Sequence, residues 1–190
     1  MDKKQVLFIQ GGGDDGYTTD TNMVSALEQA LGKGYKVFYP RLESNEAASD
    51  FDWVSQIGKK LDDLKDRAIV VAHSLGASML LKYLSENTVS KKITSVFLIA
   101  APFWSGTEEW KQGLKLREDF AQSLPPDIPV FFYHCRDDEE VPFAQLNAYK
   151  EKLPEATYRE IQKGGHQFDN NLDPIVRDIK RMNERKISNS

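Results

Sequence analysis

The chain has 190 residues, with 25 basic and 29 acidic side chains and a formal net charge of -4 at pH 7. This length suits one domain over residues 1–190, and the acidic balance argues against a nucleic-acid binder, which would normally present a basic face. A single cysteine, Cys135, excludes an internal disulfide framework, and no apolar run approaches the ~18 residues of a membrane span. The start of the chain lacks the apolar segment of a secretory signal, so we expect a cytoplasmic protein without membrane or nucleic-acid partners.

Short apolar runs alternate with amphipathic stretches along the chain. Strands are predicted at residues 6–9, 37–39, 69–72, 95–100, 130–133 and 157–161. Helices, the first capped by Asp20 or Thr21, are predicted at about 20–31, 51–64, 75–84, 108–122, 143–153 and 174–182. Strands that are apolar throughout and separated by helices are typical of a parallel sheet covered on both faces. We therefore predict a single-domain three-layer α/β/α sandwich with a mostly parallel sheet of about six strands.

Two loops with unusual chemistry follow the first and third predicted strands. The first, residues 10–16, reads Gln-Gly-Gly-Gly-Asp-Asp-Gly, and the second, residues 72–76, reads Ala-His-Ser-Leu-Gly. In open α/β sheets, ligands bind beyond the carboxyl ends of the strands, where the strand order reverses. A 2-1-3-4 strand order would make these two strands neighbours, so we expect the two loops to lie side by side.

The second loop fits the small-x-Ser-x-Gly pattern of a nucleophile elbow, with Ala72, Ser74 and Gly76 at its fixed positions. Small residues are needed because the serine of such an elbow sits on a strained turn from strand to helix. The alternative interpretation is that Ser74 only caps the following helix. A serine becomes a nucleophile when a base takes its proton and a third group orients that base.

Three histidines are available as the base. The side chain of His73, next to the serine, should point away from it. His134 falls in an apolar run and is predicted to be buried and structural. His166 follows two glycines on a loop after the last predicted strand, where no packing role explains a histidine. We therefore predict that His166 is the base.

An acidic loop after the fifth predicted strand supplies candidates for the orienting acid. Residues 137–140 are all acidic, and such a run would usually be a solvated loop. The spacing Asp138-x-x-Val141-Pro142, with the proline at the start of the next helix, favours Asp138. Asp137 remains the alternative acid.

These residues resemble the α/β-hydrolase superfamily, whose Ser–acid–His order is matched by Ser74, Asp138 and His166. The chain is similar to the small, lid-poor serine hydrolases of the retinoblastoma-binding type. Like them it has a glycine-rich first loop, and a Gly-His-x-Phe-like segment at 165–168. The resemblance implies a compact α/β-hydrolase fold with a minimal cap. It also implies a serine hydrolase that cleaves small carboxylic esters through an acyl-enzyme.

The resemblance assigns further roles at the site. The serine would attack the carbonyl carbon, the histidine would move the proton, and the aspartate would hold the imidazole in the right tautomer. The oxyanion would be held by the backbone N–H of Leu75 and by one from Gly12 or Gly13. Many relatives have His-Gly where this chain has Gln10-Gly11, which makes Gln10 a candidate pocket residue. No metal or organic cofactor is implied.

The substrate pocket is predicted around the long connection after the fourth strand, where this fold usually carries its cap. Phe103, Trp104 and Trp110 lie in that connection, and His73 and Gln10 complete the set of pocket candidates. If these side chains line the pocket, the acyl group of the substrate is apolar and of small to medium size.

Three alternatives stay open. Gly11-x-Gly13-x-x-Gly16 formally matches a dinucleotide fingerprint, although Asp14 and Asp15 would place negative charge beside a pyrophosphate. A non-catalytic or weakly catalytic protein-binding module could be built on the same fold, because fold does not fix function. The same serine could also serve an acyltransferase or a thioesterase.

Overall fold

The computed structural model of the chain describes residues 3–188, with side chains described as far as Glu184. The ends of the predicted domain, residues 1–2 and 189–190, lie outside this range. Within it, one sheet is formed by β1 (Lys4–Ile9), β2 (Tyr35–Phe38), β3 (Ala68–His73), β4 (Ile93–Ile99), β5 (Val130–Cys135) and β6 (Thr157–Ile161). The α-helices are α1 (Gly16–Leu31), α2 (Trp53–Asp62), α3 (Leu75–Glu86), α4 (Phe120–Ser123), α5 (Gln145–Lys152) and α6 (Asp173–Ser188).

The six strands are all parallel and follow the order β2-β1-β3-β4-β5-β6. The strand order reverses at β1 and β3, which are neighbours with Ile9 opposite Ala72. The predicted sheet and the predicted order of its first four strands are therefore confirmed. Because parallel strands end at the same edge, the loops that follow β1 and β3 lie side by side.

Hydrophobic cores lie on both faces of the sheet. On one face, α1 and α6 cover alternate strand residues such as Val6, Phe8 and Val71. On the other face, α2, α3 and α5 cover the intervening residues, such as Leu7 and Val70. The alternation follows from the geometry of a strand, whose successive side chains point to opposite faces. None of the helices in the described part of the chain is long and apolar enough to cross a membrane.

Helix α1 begins at Gly16 rather than near Asp20, so the predicted capping role of Asp20 or Thr21 is wrong. Asp20 lies inside the helix and is 1% exposed, and its Oδ2 accepts a hydrogen bond from Gly11 N–H at 2.7 Å. Thr21 Oγ1 donates to the carbonyl of Tyr17 one turn earlier. The acidic side chain therefore serves a contact across the fold, which a local capping pattern does not reveal.

The long connection after β4 was predicted to hold one helix over 108–122, and that prediction is wrong. It holds a 3-10 helix, Glu109–Leu114, and the four-residue helix α4. Lys115 between them has an extended backbone, with φ -67° and ψ 143°. Its carbonyl accepts a hydrogen bond from Lys82 Nζ of α3 at 2.9 Å. This hydrogen bond joins the long connection to α3 directly after the end of the 3-10 helix.

Gly76, the second residue of α3, lies where the first loop approaches the elbow. A Cβ built on Gly76 would lie 2.2 Å from the carbonyl oxygen of Gln10, which is far inside van der Waals contact. The glycine is therefore required for the approach of two main chains, not for a special backbone angle.

We expect Gly76→Ala to lower the free energy of unfolding by about 1–3 kcal/mol, because the methyl group must displace main chain. Gly34→Ala is the control, since a Cβ on Gly34 would meet no atom within 4 Å. Chemical denaturation of the two variants measures the difference. Equal stabilities would contradict the close approach at Gly76.

Candidate active site

Ser74 occupies a strained turn between β3 and α3. Its φ of 51° and ψ of -125° lie in a region that residues with a Cβ seldom adopt, at a cost of about 1–3 kcal/mol. The Ser74 N–H donates to the Ile99 carbonyl at 2.8 Å, and Ala77 N–H donates to the Ser74 carbonyl at 2.9 Å. The Ser74 side chain makes no capping hydrogen bond to α3. The interpretation of Ser74 as a helix cap only is therefore wrong.

The glycine-rich first loop lies against this turn. A Cβ on Gly12 would lie 2.8 Å from Leu75 Cδ2, and one on Gly11 would lie 3.4 Å from Ser74 Cβ. Gln10 does not contribute to the cavity beside Ser74: it is 3% exposed, and its Oε1 accepts a hydrogen bond from Leu42 N–H at 2.8 Å. The structure thus brings the two loops together as predicted and places Gln10 behind them.

Asp138 lies on the loop after β5 and contacts His166. Its Oδ1 accepts hydrogen bonds from Glu140 N–H at 2.9 Å and Val141 N–H at 2.8 Å, and its Oδ2 lies 2.9 Å from His166 Nδ1. Burial alone would raise the pKa of the Asp138 carboxyl. Hydrogen bonds from His134, His166 and Val141 N–H outweigh burial, so this pKa lies well below its usual value.

The carboxylate of the neighbouring Asp137 binds main-chain N–H groups of the loop that carries His166. Its carboxylate accepts hydrogen bonds from Gly165 N–H at 3.0 Å and Gly164 N–H at 3.3 Å. No hydrogen bond joins Asp137 to the imidazole of His166 in the described part of the chain. Of the two acids left open by the sequence, Asp138 is therefore the one that contacts the imidazole.

His166 is 4% exposed, and its Nε2 faces the exposed side chain of Glu140. Its Nε2 lies 3.7 Å from Oε2 of Glu140, whose side chain is 66% exposed. Burial would lower the pKa of the His166 imidazole. The hydrogen bond and charge of Asp138, together with the charges of Glu140 and Asp20, outweigh burial and raise this pKa above its usual value.

Ser74 and His166 line one cavity of about 230 Å³ at the carboxyl edge of the sheet. Its lining residues are Gly11, Gly12, Gly13, Asp15, Gly16, Thr19, Asp20, His73, Ser74, Glu140, His166 and Gln167. The lining includes three acidic side chains and no lysine or arginine. No hydrogen bond joins Ser74 to His166 among the described residues, an arrangement common in sites without substrate, where catalytic hydrogen bonds tighten on binding.

A family model described as serine hydrolase matches residues 23–172 of the chain. This chain belongs to the serine hydrolase family. It is 26% identical over 148 residues to the putative hydrolase YdeN of Bacillus subtilis (strain 168), covering 74% of this chain and 72% of that protein.

Solved structures show the same fold. The crystal structure of the B. subtilis ydeN gene product has a TM-score of 0.74 at 19% identity, covering 96% of this chain and 100% of that chain. Est1E from Butyrivibrio proteoclasticus has a TM-score of 0.68 at 17% identity, covering 98% and 89%. The serine hydrolase described here is therefore a member of the α/β-hydrolase superfamily, as its motifs predicted.

The other two histidines of this serine hydrolase are fully buried. His134 was predicted to be structural, and its Nε2 lies 2.9 Å from the Val141 carbonyl and 3.3 Å from Asp138 Oδ2. The contact with the acid loop was not foreseen. His73, a predicted pocket residue, is among the residues that line the cavity, and its ring contacts Asp20 and the carbonyl of His166. Its place in an apolar strand gave no signal of these long-range partners.

The aromatic pocket candidates of the serine hydrolase do not line the cavity between Ser74 and His166. Trp104 Nε1 donates to Ser78 Oγ at 3.0 Å, one turn beyond Ser74 on α3. Trp110 is 59% exposed and packs edge-on against Trp104, while Phe103 packs edge-on against Tyr149. The long connection thus lies along the helix that begins at the elbow, and a pocket role for these aromatic side chains stays a prediction.

The glycines of the formal dinucleotide fingerprint serve the packing of the first loop. A Cβ on Gly16 would lie 2.4 Å from the Gly11 carbonyl oxygen, so Gly16 allows the loop to close tightly on the start of α1. Gly13 has a φ of +88°, which favours glycine. Asp15 and Asp20 line the cavity beside these glycines, where they would repel a pyrophosphate.

We expect Glu140→Gln to lower the pKa of His166, because the substitution removes a negative charge beside Nε2. A titration of the imidazole C–H signals by nuclear magnetic resonance measures this pKa. Glu139→Gln is the matched control: Glu139 carries the same charge, but its carboxylate lies beside Gly165. An equal decrease in both variants would contradict a specific effect of Glu140.

Proposed function

We propose that this serine hydrolase cleaves small carboxylic esters through an acyl-enzyme, with Ser74 as nucleophile, His166 as base and Asp138 as the orienting acid. One observation carries the proposal. A serine with a φ of 51°, on a strand-to-helix turn, shares a cavity with a histidine whose Nδ1 lies 2.9 Å from a buried aspartate. A serine held in this conformation is strained, and such strain is found at functional sites that the surrounding structure supports.

The chemistry follows from these positions. His166 Nε2 takes the proton of the Ser74 hydroxyl as Oγ attacks the carbonyl carbon of the ester. The charge of Asp138 stabilises the imidazolium that forms, and His166 then gives the proton to the leaving alcohol. Water repeats the sequence on the acyl-enzyme and releases the acid. The raised pKa of His166 fits this role, because a stronger base takes the serine proton more readily.

Backbone N–H groups would hold the oxyanion. Leu75 is the first residue of α3, so its N–H belongs to the four that have no partner within the helix. Gly12 and Gly13 line the same cavity from the first loop. Each donor of this kind contributes roughly 3–4 kcal/mol of transition-state stabilisation. We assign the first donor to Leu75 and the second to Gly12 or Gly13.

The dimensions and charge of the cavity support a small, uncharged ester as substrate. A volume of about 230 Å³ suits a short acyl group, and the acidic lining side chains Asp15, Asp20 and Glu140 would repel an anionic one. In one solved structure the similar protein Est1E has ferulic acid bound, and a carboxylic acid is the product that an ester hydrolase would release.

A fluorophosphonate probe, which reacts with activated serines, tests the proposal. We expect the intact mass of the wild type to increase by one adduct and that of Ser74→Ala to stay unchanged. Ser25→Ala, which loses an exposed hydroxyl on α1 instead, should react like the wild type. Hydrolysis of a short nitrophenyl ester should fall by at least ~10³-fold in Ser74→Ala.

The outcomes of this experiment separate the proposal from its rivals. No adduct on the wild type would favour a protein-binding module on a hydrolase fold. An adduct without ester hydrolysis, but with acyl transfer to an added alcohol or turnover of a thioester, would favour an acyltransferase or a thioesterase. Faster hydrolysis of very long than of short acyl chains would contradict the small-ester assignment.

We expect Asp138→Asn to lower kcat by about 10³–10⁴-fold, because the amide cannot hold the imidazole in the required tautomer. Asp137→Asn is the matched control, since the Asp137 carboxylate binds the main-chain N–H groups of Gly164 and Gly165 rather than the imidazole. Steady-state kinetics on the short ester should show less than a ~10-fold loss for the control. A larger loss for Asp137→Asn than for Asp138→Asn would assign the acid to Asp137.

A further inference from the structure

Asp20 and His73 form a second buried carboxylate–imidazole pair, which the proposed mechanism does not use. Both side chains are 1% exposed, and His73 Nδ1 lies 2.9 Å from Asp20 Oδ1 and 3.0 Å from Oδ2. Removing such a pair from water costs free energy, and the attraction between the two groups offsets little more than this cost. The contacts that the pair makes with the rest of the site therefore deserve an explanation.

This Asp20–His73 pair joins three segments of the candidate active site. Asp20 Oδ2 accepts the N–H of Gly11, in the first loop, at 2.7 Å. His73 itself is the residue before Ser74. His73 Nε2 lies 3.1 Å from the main-chain carbonyl of His166, and the two imidazole rings are 4.7 Å apart between centroids.

The contact of His73 with the His166 carbonyl fixes the position of one proton. A carbonyl oxygen can only accept, so this contact is a hydrogen bond only when His73 Nε2 carries the proton. A histidine ring is compact and places its two nitrogens on different sides, which lets it bridge Asp20 of α1 and the loop of His166 within the core. An asparagine or glutamine side chain at this position could serve one of the two acceptors.

We propose that the Asp20–His73 pair is a positioning unit that fixes His166 and the first loop relative to Ser74. The inference rests on the proposed function and deepens it. Asp138 holds the His166 side chain at Nδ1, while His73 holds the same residue at its main-chain carbonyl. With both contacts in place, the imidazole has one orientation toward the serine.

The loop before His166 explains why the second contact is needed. Two consecutive glycines, Gly164 and Gly165, precede the histidine, and their φ values are +145° and +59°. Glycine has the largest backbone freedom of any residue, so contacts must hold this segment in place. Asp137 binds the two glycine N–H groups, and His73 binds the carbonyl of the residue that follows them. On the opposite side, the Asp20 contact with Gly11 fixes the loop from which Gly12 or Gly13 would donate to the oxyanion.

Two variants of His73 separate positioning from packing. The amide nitrogen of His73→Asn lies near the place of Nδ1 and can still donate to Asp20, whereas that of His73→Gln lies near the place of Nε2 and can still reach the His166 carbonyl. Both lose one hydrogen bond and a buried ring. Circular dichroism gives the folded fraction of each variant, and activity is expressed per folded molecule.

We expect His73→Asn to lower kcat on the short ester about 10- to 100-fold while KM changes less than about threefold. The variant would misplace the reacting groups without weakening the binding of the substrate. His73→Gln should keep a kcat several-fold above that of His73→Asn. A wild-type kcat per folded molecule in both variants would overturn the inference, and so would a loss confined to KM.

A measurement on the unmodified protein covers the case in which neither variant folds. With ¹⁵N-labelled histidine, His73 should show an Nε2–H proton that exchanges slowly with water, and the absence of this signal would overturn the inference. Fluorophosphonate labelling of the wild type distinguishes the two proposals. An unlabelled wild type would refute the proposed function, whereas a labelled wild type with fully active His73 variants would refute the positioning role alone.

Discussion

The close approach of the β1 and β3 ends is the constraint on which the site depends. The main chain of Gln10 occupies the space where a Cβ of Gly76 would lie, and the Gly12 backbone lies against Leu75. Ser74, between these contacts, is kept at a φ of 51° by hydrogen bonds that belong to the sheet and to α3. The strain of about 1–3 kcal/mol is therefore supported by the contacts of β3, β4 and α3 around the turn. The nucleophile candidate therefore needs no mobile segment to reach its conformation.

The acidic run after β5 shows how neighbouring charges can have separate tasks. Asp137 binds the main chain of the glycines before His166, and Asp138 binds the imidazole. Glu140 reaches the far side of the ring, and Glu139 lies beside Gly165. A run that would usually be a solvated loop is thus folded around one histidine.

The sequence predicted the sheet and the loops that meet at its edge, and its predictions were wrong where the partners of a residue are distant in the chain. Ser74, Asp138 and His166 stand out because each follows an apolar strand, and a parallel sheet brings strand ends together. Asp20 was misread as a helix cap because its partners, Gly11 and His73, include one 53 residues away. The helix predicted over 108–122 is interrupted at Lys115, where the carbonyl accepts a hydrogen bond from Lys82, and local periodicity carries no signal of this partner 33 residues away.

The charges around His166 raise its pKa, and this pKa would set the pH range in which the imidazole can serve as a base. Asp138, Glu140 and Asp20 all favour the imidazolium, whereas burial opposes it, and the carboxylates prevail. In the proposed mechanism, the same charges would stabilise the imidazolium that forms as the serine attacks. Their cost is that a larger fraction of the base is already protonated at a given pH, and a protonated base cannot accept the serine proton. Asp138 both contacts the ring at Nδ1 and raises its pKa, whereas the exposed Glu140, 3.7 Å from Nε2, acts through its charge. A change at Glu140 would therefore alter the pKa of His166 without removing the contact that orients the ring.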